Sequence, residues 1–418
     1  MLIMAEFEKL TLPNGLRIIL APLVSFKSVT AIVLCGAGSR YETERTNGVS
    51  HFLEHMFFKG TKKRSAKKIV TEIESCGGYL NAFTSKEHTC YYGRGLVDHF
   101  STTFDVISDM IQNSVFKPSE INKEAGVIID ELKDVEDNPE ELIFDKFEEI
   151  LFSGSSLSYP ILGNEKNIRK FSHSDFIRHI NQKYAYDKML IASSGGIKHD
   201  EVIKMAEKYL DKDFRKSRIK RKLFTNHKVK PKTVNLDKEI QQVHAIIGTS
   251  TYGYQSKKRI HVSLLSQILG EGSSSRLFQS LRERNGIAYQ VHSFLNSFLD
   301  TSVFGIYFST NEKMVAKALS LVERELNKLR TKKISERELD KAKESLKGNI
   351  ILSMESTSNR MIRMAQSELY YNHYKTLDEI LNEINSVTVK NISDIADELL
   401  NPKSLNKLFV KPKKLIIN

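Results

Sequence analysis

The sequence predicts an α+β protein built from two structurally similar domains. Its 418 residues exclude a single small domain, and 40% hydrophobic with 27% charged residues is the composition of a globular chain. One order of elements, a strand, two helices, a β-hairpin and long helices, is predicted over residues 27–152 and again over 244–400. Because the order recurs while the two sequences barely match, we predict two α+β units of the same design.

The elements of the first half follow from hydrophobic periodicity and turn residues. Two apolar runs around Pro13, Asn14 and Gly15 predict a hairpin, and the β-rich run from Lys27 predicts a strand. The segment NGVSHFLEHMFFKG predicts a helix that ends at Gly60. The other predicted elements are a helix over 65–76, two strands around a turn at 85–87, helices near 96–113, 118–136 and 139–152, a strand from 187 and a helix over 199–210.

The second half repeats this order and ends in one more strand. Its predicted elements are a strand over 244–254, helices over 257–269 and 274–284, two β-rich runs around 296–300, helices near 314–330, 335–354, 358–370, 376–385 and 388–400, and a strand over 405–412. We therefore predict an N-terminal domain over residues 1–211, a linker over 212–232 and a C-terminal domain over 233–418.

The net charge of +12 is concentrated in the predicted linker. Residues 212–232 hold ten lysines and arginines against one acid, Asp213, so both flanking domains are close to neutral. We interpret the segment as a solvated strap, with contact to an anionic partner as the alternative. Nucleic-acid binding is not predicted, because the linker lacks the aromatic and basic platform of single-strand binders.

The cysteines and the N-terminus favour a reducing compartment. Cys35, Cys76 and Cys90 are too few for a disulfide framework, and no C-x-x-C pair suggests a thiolate zinc site. The N-terminus carries Glu6 and Glu8 and lacks the pattern of a signal peptide. No apolar run approaches the ~20 residues that span a bilayer. We predict a soluble, cytoplasmic protein with no membrane partner.

His51, Glu54 and His55 form the pattern H-x-x-E-H inside the helix predicted to end at Gly60. Residues four apart share one helix face, so both imidazoles can bind one metal ion with Glu54 beside it. The pattern is the inverzincin motif, and imidazole and carboxylate ligands suit zinc. The alternative is a helix with two surface histidines, so the hypothesis needs a third ligand.

The predicted helix that contains Ile121 supplies carboxylates for that position. Glu124 and Glu131 are seven residues apart, or two turns, and share a face with an apolar centre. Carboxylates beside an apolar stripe need a partner, which a metal site provides; the alternative is that both simply reach the solvent. Spacing alone leaves Glu124, Asp130, Glu131 and Asp134 open as the third ligand.

The motifs HFLEHMFFKGT and EAGVIIDE closely resemble the pitrilysin/insulinase family of zinc peptidases, in the branch of mitochondrial processing peptidase and its bacterial relatives. In that family the third ligand lies 76 positions after the second histidine, which implies Glu131 here. A supporting glutamate of the catalytic site lies seven positions earlier, which implies Glu124. The resemblance also implies a mixed, mainly antiparallel sheet flanked by helices in each domain, and a chain that forms half of a clamshell.

Two further motifs extend the resemblance over nearly the whole chain. In GGYLNAFTSKEHTCYY, the family's edge strand pairs with the substrate backbone through an Asn and an Ala, which are Asn81 and Ala82 here. In LGEGSSSRLFQSLRERNGIAYQVHSF, the family uses an Arg and a Tyr seven apart to hold the substrate, which implies Arg282 and Tyr289. These two side chains are expected to position the scissile carbonyl and stabilise the oxyanion.

The resemblance implies a zinc endopeptidase that acts on short or unfolded peptides in an extended conformation. One Zn²⁺ per chain is expected on His51, His55 and Glu131, with Glu54 as the general base. The second half lacks H-x-x-E-H, so only the first domain is expected to bind zinc. A homodimer enclosing a cavity is expected. The alternatives are a non-catalytic subunit of a larger complex, and a heterodimer with an inactive paralogue.

Overall fold

The structure is a computed structural model that describes residues 7–23, 25–210, 223–224 and 231–413. The chain divides into two compact units, each made of three segments. Unit 1 comprises the described parts of Met1–Lys133, Gly154–Lys222 and Ser353–Tyr374, and unit 2 those of Asp134–Ser153, Leu223–Leu352 and Lys375–Asn418.

Strands and helices alternate along the chain much as the sequence predicts. The strands are β1 (Glu8–Thr11), β2 (Arg17–Pro22), β3 (Ser28–Cys35), β4 (Tyr79–Thr84), β5 (Thr89–Leu96), β6 (Met189–Gly195), β7 (Thr233–Lys238), β8 (Val243–Tyr252), β9 (Ala288–Ser297), β10 (Thr301–Thr310) and β11 (Asn406–Pro412). The helices are α1 (Val49–Phe57), α2 (Ala66–Glu74), α3 (Phe100–Asn113), α4 (Pro118–Asp137), α5 (Pro139–Leu151), α6 (Glu165–Ile168), α7 (His173–Lys183), α8 (His199–Leu210), α9 (Arg259–Gly270), α10 (Val315–Thr331), α11 (Glu336–Ser353), α12 (Thr357–Tyr371), α13 (Leu377–Ser386) and α14 (Val389–Leu399).

The predicted hairpins and most predicted helices are confirmed. β1 and β2 pair antiparallel around a turn in which Gly15 has φ 90°, a left-handed conformation that favours glycine. The helix predicted over 274–284 is mostly a π-helical segment, Phe278–Glu283. Sequence patterns did not identify β7, α6 or α7.

The two sheets share one topology. In unit 1 the strand order is β1-β2-β6-β3-β5-β4, and in unit 2 it is β7-β11-β8-β10-β9. The pairs β2–β6 and β7–β11 are parallel, and the remaining neighbours in both sheets are antiparallel. The predicted fold class, two similar domains with mixed, mainly antiparallel sheets flanked by helices, is therefore confirmed.

One helix in each unit comes from the other half of the chain. Residues 134–153, which include α5, belong to unit 2, where α5 packs on β8 and β11. Residues 353–374, which include α12, belong to unit 1, where α12 packs on β3 and β6. The units therefore depart in these two segments from the predicted domains over residues 1–211 and 233–418.

The burial of the central strand explains why unit 1 contains α12. All seven residues of β6 are buried. Ile191 faces the main core of the unit, while Leu190 packs with Met361 and Met364 of α12 on the opposite face. An apolar sheet needs cover on both faces, and α12 provides it on the second.

Two expectations from the sequence concern the basic linker and membrane-spanning segments. The basic linker predicted over 212–232 lies outside the described residues except for 223–224 and 231–232. Among the helices that are described, none has the length and apolar character needed to cross a bilayer.

Candidate metal centre

Local backbone conformation and a capping carboxylate determine where α1, the helix that carries the two histidines, begins. Gly48 precedes α1 with φ 100°, a conformation that favours glycine. The Glu42 carboxylate accepts hydrogen bonds from the backbone N–H groups of Gly48 and Ser50, both at 2.8 Å. First-turn N–H groups have no partner within a helix, so this carboxylate caps α1. Burial raises the pKa of Glu42, although its bonds to Ser50 and Asn47 oppose that rise.

His51 and His55 lie one turn apart on α1, with ring centroids 4.6 Å from each other. His51 is buried, with 7% of its surface exposed. Burial, assisted by the neighbouring His55, lowers the pKa of His51 to about 3, so its ring is neutral at pH 7. Neutral imidazole is the form that binds metal ions.

Glu131 on α4 brings a carboxylate to both rings. Its oxygens lie 3.8 Å from His51 Nε2 and 3.7 Å from His55 Nε2. Ligand atoms of the three residues all lie within 4.8 Å of one another. Donors about 2.0–2.2 Å from a tetrahedral zinc lie roughly 3.3–3.5 Å apart, so small side-chain shifts suffice to bind the ion. The two nitrogens and one carboxylate fit a zinc that keeps an open position.

The other acidic candidates on α4 do not join this cluster. Asp130 pairs with Lys133 at 2.9 Å, and both side chains are more than half exposed. Asp134 is also exposed. Of the four carboxylates that spacing left open, Glu131 alone belongs to the three-residue group that could hold a metal in the described part of the chain.

Glu124 contacts Nδ1 of His55, the ring nitrogen that does not face Glu131. Its Oε1 lies 2.9 Å from His55 Nδ1, and its Oε2 lies 2.6 Å from Lys59 Nζ. Burial would raise the pKa of Glu124, but the bonds to His55 and Lys59 outweigh it and lower that pKa. An ionised carboxylate only accepts, so His55 Nδ1 carries the proton and Nε2 is left for a metal.

Glu54 is held beside the cluster by a strand residue. Thr84, the last residue of β4, donates its hydroxyl to Glu54 Oε2 at 2.6 Å. Burial raises the pKa of Glu54, whereas the Thr84 hydroxyl and the nearby His55 limit that rise. A carboxylate with a raised pKa, fixed beside a metal centre, is suited to accept and return a proton.

Asn81 and Ala82 lie on the edge strand of the unit 1 sheet. β4 ends the strand order and packs against α1. Asn81 Oδ1 accepts a hydrogen bond from the Ala82 backbone N–H at 2.8 Å, and Asn81 Nδ2 donates to the Tyr79 hydroxyl at 2.5 Å. An exposed edge of this kind can pair with an extended peptide.

Arg282 and Tyr289 are neighbours within unit 2. Arg282 lies in the π-helical segment and donates to the backbone carbonyl of Tyr289 at 3.0 Å. Its guanidinium stands over the rings of Phe278 and Tyr289, at 5.1 and 5.9 Å from their centroids. Tyr289 is 70% exposed, so its hydroxyl is accessible to a ligand.

Sequence reasoning missed Lys59, Thr84 and Glu42. Lys59 lies four residues after His55, a spacing that could have indicated a shared face. Thr84 lies two residues after Ala82, on the same side of β4 in a period-two pattern. The capping role of Glu42 depends on a turn that no local sequence motif predicted.

An H-x-x-E-H helix that faces a glutamate on a second helix defines a zinc-peptidase type of site. Residues 18–165 match the family described as Insulinase (Peptidase family M16), and residues 170–346 match the Peptidase M16 inactive domain. The metal cluster lies within the first match. The chain belongs to the M16 (insulinase) family.

Curated relatives support this assignment, and a solved structure shares the fold. The uncharacterised zinc protease YmxG of Bacillus subtilis is 36% identical over 94% of this chain and 95% of its own length. An uncharacterised zinc protease of Streptomyces coelicolor is 31% identical over 94% and 87%. The crystal structure of a protease from Helicobacter pylori has the same fold, with TM-score 0.90 at 23% identity over 98% of this chain and 100% of that one.

Proposed function

We propose that this chain is a zinc-dependent metalloendopeptidase that hydrolyses short or unfolded peptides. The observation that carries the proposal is the placement of Glu54 beside His51, His55 and Glu131, with its carboxylate fixed by a 2.6 Å hydrogen bond. A purely structural zinc site needs no such carboxylate and usually has four protein ligands.

The residues of unit 1 divide the chemistry among them. His51, His55 and Glu131 would hold one Zn²⁺, which when bound lowers the pKa of a coordinated water toward about 7. Glu54 takes a proton from the attacking water and returns it to the leaving amine. Glu124 keeps the His55 ring in its orientation.

The proposed substrate is a peptide in an extended conformation. Asn81 and Ala82 on the edge strand β4 supply backbone pairing, which gives affinity with little sequence preference. Arg282 and Tyr289 carry the role that the family resemblance implies, which is to hold the scissile carbonyl and donate to the oxyanion. A homodimer in the cytoplasm, enclosing a cavity that excludes folded proteins, completes the proposal. Light scattering tests the dimer.

The direct test is Glu54→Gln, assayed on an unstructured quenched-fluorescent peptide. Removal of a general base lowers turnover by about 10²–10⁴-fold. Zinc content by metal analysis should stay at the wild-type level, because Glu54 is not in the ligand cluster. Glu74→Gln, a matched change at an exposed position of α2, should alter neither quantity. Unchanged turnover in Glu54→Gln would refute the mechanism.

A further inference from the structure

Unit 2 has a polar cavity between the counterparts of the two metal-centre helices. α9 follows strand β8 as α1 follows β3, and α11 is the second helix after its hairpin, as α4 is. The cavity has a volume of about 440 Å³ and is lined by both helices and by the segment between α9 and the π-helical segment. This volume falls within the range of small-molecule sites.

Two buried side-chain polar atoms of residues that line this cavity have no hydrogen-bond partner in the described part of the chain. They are Gln267 Oε1 and Ser275 Oγ, on residues that are 8% and 4% exposed. The Gln267 amide is oriented, because its Nε2 donates to Ser345 Oγ at 3.0 Å. Its Oε1 is therefore left as an acceptor. Unpaired buried polar atoms are costly, so these two indicate a ligand that supplies the missing bonds.

A carboxylate lies one turn beyond Gln267. Glu271 also lines the cavity, and burial raises its pKa, although a hydrogen bond from Ser266 opposes the rise. It forms no ion pair with any described residue. A half-buried carboxylate next to an unpaired amide oxygen is suited to an ammonium group.

The residues of α11 that line the cavity include two cations, whose charge is opposite to that of Glu271. Arg337 and Lys341 are one turn apart on α11, line the cavity and are exposed. The acid between them, Glu338, is already bound by two hydrogen bonds from Arg276, both at 2.8 Å. Its charge is thus compensated, and the two cations remain available for a carboxylate.

We propose that this cavity binds a zwitterionic α-amino acid or dipeptide. The ammonium group contacts Gln267 Oε1 on α9 and Glu271, which directly follows α9, and the carboxylate contacts Arg337 and Lys341 on α11. The proposal does not depend on whether unit 1 cleaves peptides, since it uses only residues of unit 2.

Calorimetric titration of the zinc-loaded full chain with free L-alanine and with alanyl-alanine tests the proposal. Both carry the two charges, and Glu54→Gln protein prevents hydrolysis of the dipeptide. N-acetyl-alanine lacks the ammonium group and alaninamide lacks the carboxylate, so each should bind at least about tenfold more weakly. Equal binding of the blocked compounds, or no heat with any compound, overturns the proposal.

Matched variants locate the binding site. Glu271→Gln and Lys341→Gln should each weaken binding about tenfold or more, because each removes a charge-assisted bond. Glu336→Gln and Lys333→Gln, at exposed positions outside the cavity lining, should leave binding unchanged. If the cavity variants bind as the wild type does, the ligand sits elsewhere and the proposal fails. Thermal unfolding followed by circular dichroism checks that the variants fold. The comparison with the blocked compounds uses wild-type protein, so it tests the proposal even if a variant does not fold.

Discussion

The two units share a sheet design but differ in the side chains placed on it. Five strands correspond in order and direction, β2-β6-β3-β5-β4 in one sheet and β7-β11-β8-β10-β9 in the other. In unit 1 the first α-helix after β3 carries His51 and His55, which face Glu131. In unit 2 the corresponding helix carries Gln267, which points its amide at Ser345.

A few side chains, and not the fold, therefore decide which chemistry each unit can support. Both units bury a continuous apolar core between their sheet and helices. Unit 1 adds buried or half-buried groups that can hold a metal and move a proton. At the comparable place unit 2 has an amide, hydroxyls and the Arg276–Glu338 ion pair, together with the charged side chains that line its cavity.

The largest effect is expected from Glu131→Gln, which should erase the chemical difference between the units. Zinc content should fall, and since a metal supplies several kcal/mol of transition-state stabilisation, peptide hydrolysis should drop by at least about 10³-fold. Asp130→Asn changes the exposed neighbour that pairs with Lys133 and serves as the matched control. It should leave zinc content and peptide hydrolysis at the wild-type level. A full complement of zinc in Glu131→Gln would move the third ligand to another residue.

The second effect concerns the helix that unit 2 takes from the first half of the chain. Phe147 on α5 is 1% exposed, and its ring would lie 3.2 Å from a Cβ at Gly248 of β8, where only glycine leaves room. Phe147→Ala should lower the free energy of unfolding by about 3–5 kcal/mol. The backbone amides of β8 and β11 in unit 2 should lose protection from hydrogen exchange.

A control variant on the same helix separates loss of packing from a general effect of mutating α5. Glu149→Ala changes an exposed residue that pairs with Lys146, and such pairs contribute about 0–1 kcal/mol. It should leave exchange in β8 unchanged. If Phe147→Ala exposed β3 and β6 while sparing β8 and β11, the assignment of α5 to unit 2 would be wrong.

Local signals account for what the sequence predicted. Gly15 and Gly60 mark turns, and the four-residue spacing of His51 and His55 places both on one helix face. The recurrence of one element order predicted two similar domains, which the sheets confirm. These inferences need only the backbone preferences of neighbouring residues.

Non-local packing accounts for what sequence patterns could not give. α5 and α12 pack on the sheets of units to which they are remote in sequence, so no linear division of the chain assigns them. Four acids on α4 have overlapping periodicity, so spacing alone left the third ligand open. The family resemblance implied Glu131, whose carboxylate lies near both imidazoles in the structure. Glu124 was assigned from the family resemblance, but its bond to Lys59 depends on an approach between two helices.

A smaller effect is expected at Thr84, whose hydroxyl donates to Glu54, the proposed general base. Thr84→Val keeps the shape and removes the bond to Glu54. A hydrogen bond to a charged group contributes about 1.5–3 kcal/mol, so kcat should fall by roughly 10–100-fold with little change in KM or zinc content. Thr84→Ser restores the hydroxyl and should recover most of the rate. Equal loss in both variants would indicate a packing role.

The smallest effect concerns the ion pairs that stabilise each unit. In unit 2, Arg276 binds one acid among the described residues, Glu338. In unit 1, Arg64 contacts three acids, of which Asp109 is buried and also accepts from Thr61 at 2.6 Å. Burial would raise the pKa of Asp109, but its bonds to Thr61, Arg64 and Asn113 outweigh burial and lower that pKa.

The lowered pKa fixes the sign of the pH dependence. A carboxyl with a folded pKa below its unfolded value adds stability above the unfolded pKa and loses it as pH falls through the folded pKa. Asp109→Asn should therefore cost about 1.5–3 kcal/mol of unfolding free energy at pH 7 and less at pH 3, measured by urea unfolding. Asp340→Asn, an exposed change in unit 2, should show no such difference. An equal cost at both pH values would mean that Asp109 acts through its shape and not through its charge.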